Sequence, residues 1–225
     1  MVTRGGQQFI PRPQTARAGA PPRWATLSPD RRRFTLAEVR DRLATLPPAA
    51  EAVARADGSR AAGVLLALFE ADGDTNVVLI KRPETMPSHK GEIAFPGGKF
   101  DAALDADLRA TALREAHEEV GLDPAAVEVV AQLDGVGTVA SRFTITPFVG
   151  FVGARPRLVP DPHEVVRVLE VPLSELLDPE AYREERWDTR TDDLRVHFYE
   201  LVGETVWGAT ARILTSFLTH LVEGR

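Results

Sequence analysis

The sequence has no cysteine at any of its 225 positions, which excludes disulfides, thiolate nucleophiles and cysteine-ligated zinc or iron–sulfur sites. Lysine is almost absent as well, with only Lys81, Lys90 and Lys99, and the formal net charge is −6. Because a protein that coats nucleic acid usually shows a basic surface, this composition indicates no nucleic-acid partner. A phosphorylated small molecule is still compatible, since a bound metal or a local cation cluster can reverse the sign of the charge inside one cleft.

Long apolar runs are also missing, and none approaches the roughly 18 residues needed to cross a bilayer. We therefore expect a soluble, cytoplasmic protein with no membrane partner. The hydrophobic fraction of 44% is sufficient for a packed core, and the length suits one domain with an extension. The sequence leaves the oligomeric state open, a homodimer included.

The N-terminal 33 residues contain no acidic residue before Asp30 and carry prolines at positions 11, 13, 21 and 22. An acid-poor start that contains arginine is typical of organellar targeting segments, but the prolines interrupt any amphipathic helix. Residues 1–33 are therefore predicted to be a flexible extension and residues 34–225 the folded domain. A shortened chain that begins near Arg33 is expected to fold.

The pattern of apolar residues predicts a mixture of strands and helices. Thr35 is a predicted N-cap for a first helix, which Pro47 and Pro48 end. Pro147 predicts that its strand is an edge strand or a bulged one, because proline donates no hydrogen bond to a sheet. This mixed order predicts an α/β or α+β sandwich. The predicted strands are 61–70 and 76–82 (a hairpin with its turn at 71–74), 127–133, 145–152, 165–171 and 196–202; the later helices are 107–121 (or from 105), 172–177 and 209–222.

The most informative segment is acidic and lies near the middle of the chain. On a helix, Glu115, Glu118 and Glu119 occupy one arc of about 100°, next to an apolar stripe that begins at Leu108. Like charges at this spacing repel, and a hard divalent cation with oxygen ligands relieves the repulsion. A solvated acidic helix face, partly neutralised by Arg114, is the alternative.

A glycine-rich loop, predicted at 91–100, precedes this helix and contains Phe95-Pro96-Gly97-Gly98-Lys99. The two glycines allow a sharp turn and a close approach of backbone to a neighbour. Such a turn can direct backbone groups towards a metal-bound phosphate. A plain tight turn is the alternative interpretation of the glycine pair.

These motifs resemble the Nudix hydrolases, whose box reads G-x5-E-x7-R-E-U-x-E-E-x-G-U, with U apolar. Residues 114–122 match the second half of the box. The first half departs, because Ala106 stands where the first glutamate is expected and the loop is longer by two residues. Asp105 and Asp107 are the two candidates for that carboxylate. The resemblance implies a Nudix α/β/α sandwich with a mixed sheet and hydrolysis of a nucleoside diphosphate linked to another moiety.

Within the family, the chain is similar to the subgroup that acts on coenzyme A. The subgroup pattern Gly-x3-Phe-Pro-Gly-Gly is intact from Gly91 onward, and Arg82 stands at the first arginine position of the upstream motif. The second arginine position holds Pro87, so that cation is missing, with Lys90 the nearest replacement. The resemblance covers residues 61–221. It implies a Mg²⁺- or Mn²⁺-dependent coenzyme A diphosphatase.

The resemblance also assigns roles to individual residues. Glu115, Glu118 and Glu119 are the expected metal ligands, and Arg114 is expected to pair with a carboxylate and hold the helix against the loop. Glu164 is the leading candidate for the general base, followed by Glu118. The expected substrate-binding residues are Arg82, Lys90, Gly97, Gly98 and Lys99.

Two other functions remain open. One is a Nudix hydrolase for another substrate, such as ADP-ribose, a nucleotide sugar, a dinucleotide or a damaged nucleoside triphosphate. The other is a non-enzymatic regulator that binds a ligand on the same fold. The retained carboxylates do not favour the regulator, because a binding module does not need their mutual repulsion.

Overall fold

The computed structural model describes residues 3–47, 49, 59–86, 89–138, 142–188 and 193–224. The four α-helices in these ranges are α1 (Leu36–Leu43), α2 (Leu108–Val120), α3 (Leu173–Leu176) and α4 (Gly208–Glu223). The strands are β1 (Arg17–Ala18), β2 (Arg60–Ala71), β3 (Asp74–Lys81), β4 (Ile93–Ala94), β5 (Gly97–Lys99), β6 (Val127–Gln132), β7 (Val136–Gly137), β8 (Phe143–Val152), β9 (Arg167–Pro172), β10 (Tyr182–Asp188), β11 (Asp193–Leu201) and β12 (Glu204–Trp207). None of the described helices combines the length and apolar character needed to span a membrane.

Local sequence signals place several of these elements. Thr35 caps α1 through a capping box with Glu38, as predicted, although the helix ends at Leu43. Pro48, predicted to help end it, lies outside the described residues. The predicted β2–β3 hairpin is confirmed, with Asp72 and Gly73 at φ values of 54° and 70°. A two-residue turn with positive φ at both positions matches the right-handed twist of the paired strands.

Two sheets are present. The larger, mixed sheet has the order β4-β3-β2-β8-β6, and β5, β7 and β9 pair with β2, β8 and β3 respectively. The smaller sheet is antiparallel, with the order β1-β10-β11-β12.

The larger sheet is buried on both faces, and β2 shows this directly. Leu65 and Phe69 of β2 pack in the cluster that contains α2, whereas Leu66 and Leu68 pack in the cluster that contains α1 and α4. Successive side chains of a strand point to opposite faces, so a strand covered on both sides is continuously apolar. The molecule is therefore an α/β/α sandwich, as the sequence predicts.

The prediction for Pro147 was wrong. Its strand, β8, lies inside the sheet between β2 and the pair β6 and β7, and the register shift falls in β6 between Val129 and Ala131. The Pro147 carbonyl accepts a hydrogen bond from the Leu133 amide at 2.9 Å. In an extended strand the amide and carbonyl of one residue point to the same side. The missing N–H therefore faces the break between β6 and β7, where a regular ladder bond is not required.

The glycine-rich segment 91–100 is not entirely a loop, because it contains the short strands β4 and β5. Three strands of the smaller sheet, β1, β10 and β12, were not predicted from the sequence. The sequence of β10, YREERWD, has few apolar residues, so its hydrophobic pattern is weak. Arginine–carboxylate pairs across the sheet, such as Arg186 with Asp193, accompany its backbone pairing.

The flexible extension expected for residues 1–33 is packed on the domain over its described part, residues 3–33. β1 pairs with β10, and the Arg4 guanidinium donates to Asp178 at 2.6 Å. Trp24 is fully buried, with its ring centroid 5.2 Å from that of Tyr182 and 6.5 Å from that of Tyr199. The burial of Trp24, the pairing of β1 with β10 and the Arg4–Asp178 ion pair together oppose the chain entropy that ordering of the segment costs.

This packing predicts that Trp24→Ala destabilises the domain by about 3–5 kcal/mol, because it leaves a cavity among aromatic rings. Phe9→Ala is the matched control in the same segment, since Phe9 is 88% exposed. We expect this control to change stability by no more than about 0.5 kcal/mol. Urea unfolding followed by fluorescence and circular dichroism measures both effects. Equal stability of the two variants would show that residues 3–33 behave as the flexible tail that the sequence predicts.

Candidate metal centre

The acidic side chains of the site are carried by α2, whose limits agree with the sequence prediction. The helix has Asp107 as its N-cap, with the side chain accepting from the Ala110 amide at 2.8 Å, and Gly121 as its left-handed C-cap. The apolar stripe is buried against the sheet, with Ala112, Ala116 and Val120 at most 1% exposed. Burial of this stripe fixes the rotation of the helix and turns Glu115 and Glu119 towards β5.

The helix approaches the sheet very closely because glycines leave room for it. A Cβ atom on Gly63 of β2 would lie 2.2 Å from the Leu108 carbonyl oxygen. On Gly98 of β5, it would lie 2.4 Å from the Glu115 carboxylate. Gly97 has a φ of 151°, which side chains rarely adopt. The predicted shaping role of Gly97 and Gly98 therefore has a direct steric basis.

Three carboxylates converge at this contact. One oxygen from each of Glu115, Glu119 and Glu164 lies within 4.8 Å of the others. Glu119 is buried, Glu115 is half-buried and Glu164 is exposed, so the cluster opens to solvent on one side. The structure thus brings together two predicted metal ligands and the predicted general base.

Burial dominates the electrostatics of Glu119. It raises the pKa of Glu119 to about 8, although the Gly97 amide, 2.9 Å away, and the Arg82 guanidinium, 3.6 Å away, both favour the charged form. Burial also raises the pKa of Glu115, and its partner Arg114 offsets part of this effect. Burial thus makes the ionised form of each carboxylate less favourable than it is in water.

This donor set fits a hard divalent cation. Mg²⁺ and Mn²⁺ prefer oxygen ligands such as carboxylates. A bound cation also removes the like-charge repulsion that the carboxylates otherwise experience. Glu119 and Glu115 would hold the ion from the helix and Glu164 from the opposite segment.

Arg114 is the centre of a second group of carboxylates beside the cluster. Its Nε and Nη2 atoms donate to Asp105 at 2.7 and 3.0 Å, and its Nη1 atom lies 2.8 Å from Glu115 and from Glu118. The Arg114 side chain holds the pKa of Asp105 well below its usual range. Arg114 therefore links the loop to the helix, the role expected from the sequence.

Asp105 and Asp107 were the two candidates for the missing box glutamate, and the structure separates them. Asp105 is buried and accepts from Arg114, from the Thr111 hydroxyl at 2.9 Å and from the Asp101 amide at 3.0 Å. Asp107 caps the helix instead. Asp105 is thus the carboxylate that replaces the glutamate as the structural partner of Arg114.

Glu118 is not in the three-carboxylate cluster. Its side chain is 52% exposed and pairs with Arg114. Glu115 contacts the same Nη1 atom, so the Arg114 guanidinium connects Glu118 to a member of the cluster. Its assignment as a metal ligand stays a prediction.

The segment that carries Glu164 is anchored on both sides. The Asp161 amide donates to the backbone carbonyl of Glu119 at 2.9 Å, and the Val166 amide donates to the Lys81 carbonyl at 2.9 Å. Between them, the amides of Glu164 and Val165 donate to the Asp161 carbonyl at 3.1 and 2.8 Å. This turn presents the exposed Glu164 side chain to α2.

The predicted cations differ in position. Arg82 is next to Glu119, and its buried Nε atom finds no hydrogen-bond partner among the described residues. Lys90 and Lys99 are exposed on the two sides of the segment 91–98. Pro87, which stands in place of a second arginine, lies outside the described residues.

Sequence reasoning missed the contribution of Gly63. A glycine inside an apolar strand is a signal for a close backbone approach, so the sequence carried this information. The contact between Glu164 and the helix had no such signal, because it depends on how two segments 45 positions apart are packed.

The chain is similar in sequence to known proteins over most of its length. A model of the NUDIX domain matches residues 59–192. Nudix hydrolase 22, chloroplastic, of Arabidopsis thaliana is 41% identical over 160 residues, covering 68% of this chain and 52% of that protein, so the chain spans about half of its length. An uncharacterized Nudix hydrolase NudL of Photorhabdus laumondii is 37% identical over 169 residues, covering 75% of this chain and 88% of that protein. Among solved structures, a MutT/nudix family protein from Enterococcus faecalis matches at a TM-score of 0.49 and 14% identity, over 84% of this chain and 70% of that one.

The different roles of the two aspartates lead to a stability prediction. Asp105→Asn removes the charge from a buried, multiply bonded carboxylate beside Arg114, and we expect a loss of about 2–4 kcal/mol in the free energy of unfolding. Asp107→Asn is the control, because asparagine caps helices as well as aspartate does, and it should cost at most about 0.5 kcal/mol. Thermal and urea unfolding compare the two. The assignment of Asp105 is contradicted if the order of the two losses is reversed.

The carboxylate cluster leads to a metal-binding prediction. Glu119→Gln keeps the shape of the side chain and removes its charge, so Mn²⁺ binding should weaken by at least about tenfold while the fold is retained. The control is Glu180→Gln, which neutralises an exposed carboxylate outside the cluster. Titration with Mn²⁺ followed by electron paramagnetic resonance measures the dissociation constants. Equal affinity in both variants would rule out Glu119 as a ligand.

Proposed function

Because the chain belongs to the Nudix hydrolase family, we propose that it hydrolyses the diphosphate linkage of coenzyme A or an acyl-coenzyme A. The products are adenosine 3′,5′-bisphosphate and 4′-phosphopantetheine or its acyl form. The observation that carries the hydrolase assignment is the convergence of Glu115, Glu119 and Glu164, each of which has a carboxylate oxygen within 4.8 Å of the others. The coenzyme A assignment is supported by the sequence motif that runs from Arg82 to Gly98.

Mg²⁺ or Mn²⁺ is the proposed cofactor. When bound, such an ion neutralises phosphate oxygens and lowers the pKa of a nucleophilic water. Glu115 and Glu119 are the proposed ligands on α2. Glu118 is a third proposed ligand, and its side chain would have to break its ion pair with Arg114 to reach the ion. The Gly97 amide donates to Oε2 of Glu119, and Oε1 of the same carboxylate lies 3.6 Å from the Arg82 guanidinium.

Glu164 is the proposed general base, with Glu118 as the second candidate. Its position favours this role, because it is exposed, faces the cluster and is held on a turn anchored at both ends. A carboxylate has two oxygens, so one can contact the cation while the other accepts a proton from water. Arg114 acts by positioning Glu115 and Glu118 on the helix.

The substrate is a polyanion and requires cations at the rim of the site. Arg82 supports this assignment best, because its buried Nε donor is unpaired among the described residues and an anionic oxygen would satisfy it. Lys90 and Lys99 are exposed beside the same segment and are the proposed partners of the ribose 3′-phosphate.

A second candidate function is hydrolysis of another nucleoside diphosphate derivative, such as ADP-ribose, a nucleotide sugar, a dinucleotide or a damaged nucleoside triphosphate. The proline at position 87 favours this alternative, since it removes one cation of the coenzyme A motif. A ligand-binding regulator on the same fold is the third. It would bind nucleotide without turnover, and a metal-dependent activity assay separates it from the other two.

The substrate assignment predicts a preference for the 3′-phosphate. A charge-assisted hydrogen bond to phosphate contributes roughly 1.5–3 kcal/mol, so kcat/KM for coenzyme A should exceed that for the form without the 3′-phosphate by at least about tenfold. Coenzyme A should also be preferred over ADP-ribose and nucleoside triphosphates. Product analysis with all four compounds at equal Mg²⁺ or Mn²⁺ concentration tests this.

The cation variants refine the same experiment. Lys90→Met and Lys99→Met should each be assayed with both forms of coenzyme A, and the variant that removes the phosphate contact should lose the preference while it retains turnover of the dephosphorylated form. A clear preference for ADP-ribose or a triphosphate in the unmodified protein would contradict the coenzyme A assignment and leave the hydrolase assignment intact.

A further inference from the structure

A buried carboxylate of the smaller sheet reaches into the larger one. Glu204 begins β12, and its side chain is 5% exposed. One of its oxygens, Oε1, accepts from the Lys81 ammonium at 2.9 Å and from the Arg167 guanidinium at 2.8 Å. Lys81 ends β3 and Arg167 begins β9, so one carboxylate holds the ends of two strands.

These two cations lie opposite each other on the same sheet. β3 and β9 are paired from Asn76–Pro172 to Lys81–Arg167, and Lys81–Arg167 is the last pair of the ladder. Beyond this pair the ladder between β3 and β9 ends, and the segment next to each strand leads to the carboxylate cluster. Lys81 is followed directly by Arg82, which contacts Glu119. Arg167 is preceded by the turn that carries Glu164.

The position of Glu164 depends on where this turn is anchored. On the side of α2, the anchor is the hydrogen bond from Asp161 to the Glu119 carbonyl. On the side of β9, it is the bond from Val166 to the Lys81 carbonyl, at the point where the ladder ends. The end of a ladder has fewer constraining hydrogen bonds than its middle and opens more easily. Glu204 supplies an additional constraint at this point.

We propose that Glu204 is a positioning residue for the metal site, acting through Lys81 and Arg167 to hold Glu164 and Arg82 against α2. This inference rests on the proposed function, because it assigns Glu204 to the support of the same carboxylate cluster. Residues that orient ligands from outside the cluster alter metal affinity without contacting the ion. Glu204 fits this description, because its partners Lys81 and Arg167 lie next to the segments that carry Arg82 and Glu164.

The first test removes the ion pair between Arg167 and Glu204. The risk to folding is small, because the Arg167 side chain is 52% exposed. Arg167→Met should weaken Mn²⁺ binding by about threefold or more, whereas Arg167→Lys should retain most of the affinity. The matched control is Arg155→Met. Arg155 is also half-exposed and pairs with the same strand, through Glu170 at 2.6 Å, but on the part of β9 farther from Glu164.

The second test removes the carboxylate itself. Glu204→Gln should weaken Mn²⁺ binding by on the order of tenfold and raise the metal concentration needed for half-maximal turnover. Its control is Glu185→Gln, a buried carboxylate in the same sheet that binds Arg12, Arg183 and Trp187 and faces the N-terminal segment. Both variants should lose stability, and only Glu204→Gln should lose metal affinity.

Mn²⁺ dissociation constants, melting temperatures and kcat and KM values are measured for all five variants and the unmodified protein. The proposal is supported if affinity falls in Arg167→Met and Glu204→Gln beyond their controls. It is overturned if each variant and its control show the same Mn²⁺ affinity, and normal hydrolysis by the unmodified protein would then leave the proposed function in place. Absence of both Mn²⁺ binding and hydrolysis in the unmodified protein would overturn the two together.

Discussion

The close contact between α2 and the sheet is the constraint on which the site depends. A helix normally packs on a sheet with side chains between the two backbones, but Gly63 brings the backbone of α2 directly onto β2. Gly98 extends the same contact to β5, since a Cβ atom there would lie 2.4 Å from the Glu115 carboxylate. Gly97 lets β5 pack closely on β2, because a Cβ atom on Gly97 would lie 2.5 Å from the Gly63 carbonyl oxygen. The glycines thus leave Glu119 only 1% exposed, and this burial raises the pKa of its carboxyl group.

The charged residues around α2 divide into two groups with opposite electrostatics. Arg114 neutralises Asp105, whose pKa is lowered, so this pair is complete within the protein. Glu119 has only a backbone amide and a more distant guanidinium, and its pKa is raised. A carboxylate that is already satisfied contributes to the fold, and one that is not satisfied retains affinity for a cation. The helix therefore carries the chemical carboxylate, Glu119, and also Arg114, which pairs with the structural carboxylate in the preceding loop.

The sequence predicted the parts of the molecule that depend on local signals. The span of α2, the hairpin turn at Asp72-Gly73 and the apolar stripe are set by residues within a few positions of one another, and all were confirmed. The choice between Asp105 and Asp107 could not be made, because both precede the helix and only their burial distinguishes them. The approach of Glu164 to Glu119 likewise depends on packing between distant segments.

The smaller sheet and the N-terminal segment also depend on contacts between distant parts of the chain, which local sequence signals do not predict. β10 is rich in arginine and glutamate, so its strand character comes from pairing with β11 and not from a hydrophobic pattern. Trp24 lies among prolines and small residues that suggest a tail, yet its ring is fully buried against Tyr182 and Tyr199. The low acid content and the prolines of this segment predicted a tail and carried no information about the burial of Trp24.

The packing of the N-terminal segment has a consequence for how the chain folds during synthesis. Arg12 pairs with Glu185, a separation of 173 residues, and β1 completes a sheet whose other strands begin at Tyr182. At roughly 5–20 residues per second, Arg12 is synthesised about 10–35 s before Glu185. Over that interval Trp24 has no native neighbours from β10 and β11. The segment that looks like a tail in the sequence thus remains one in the nascent chain, and it becomes part of the domain only after β10 and β11 have been synthesised.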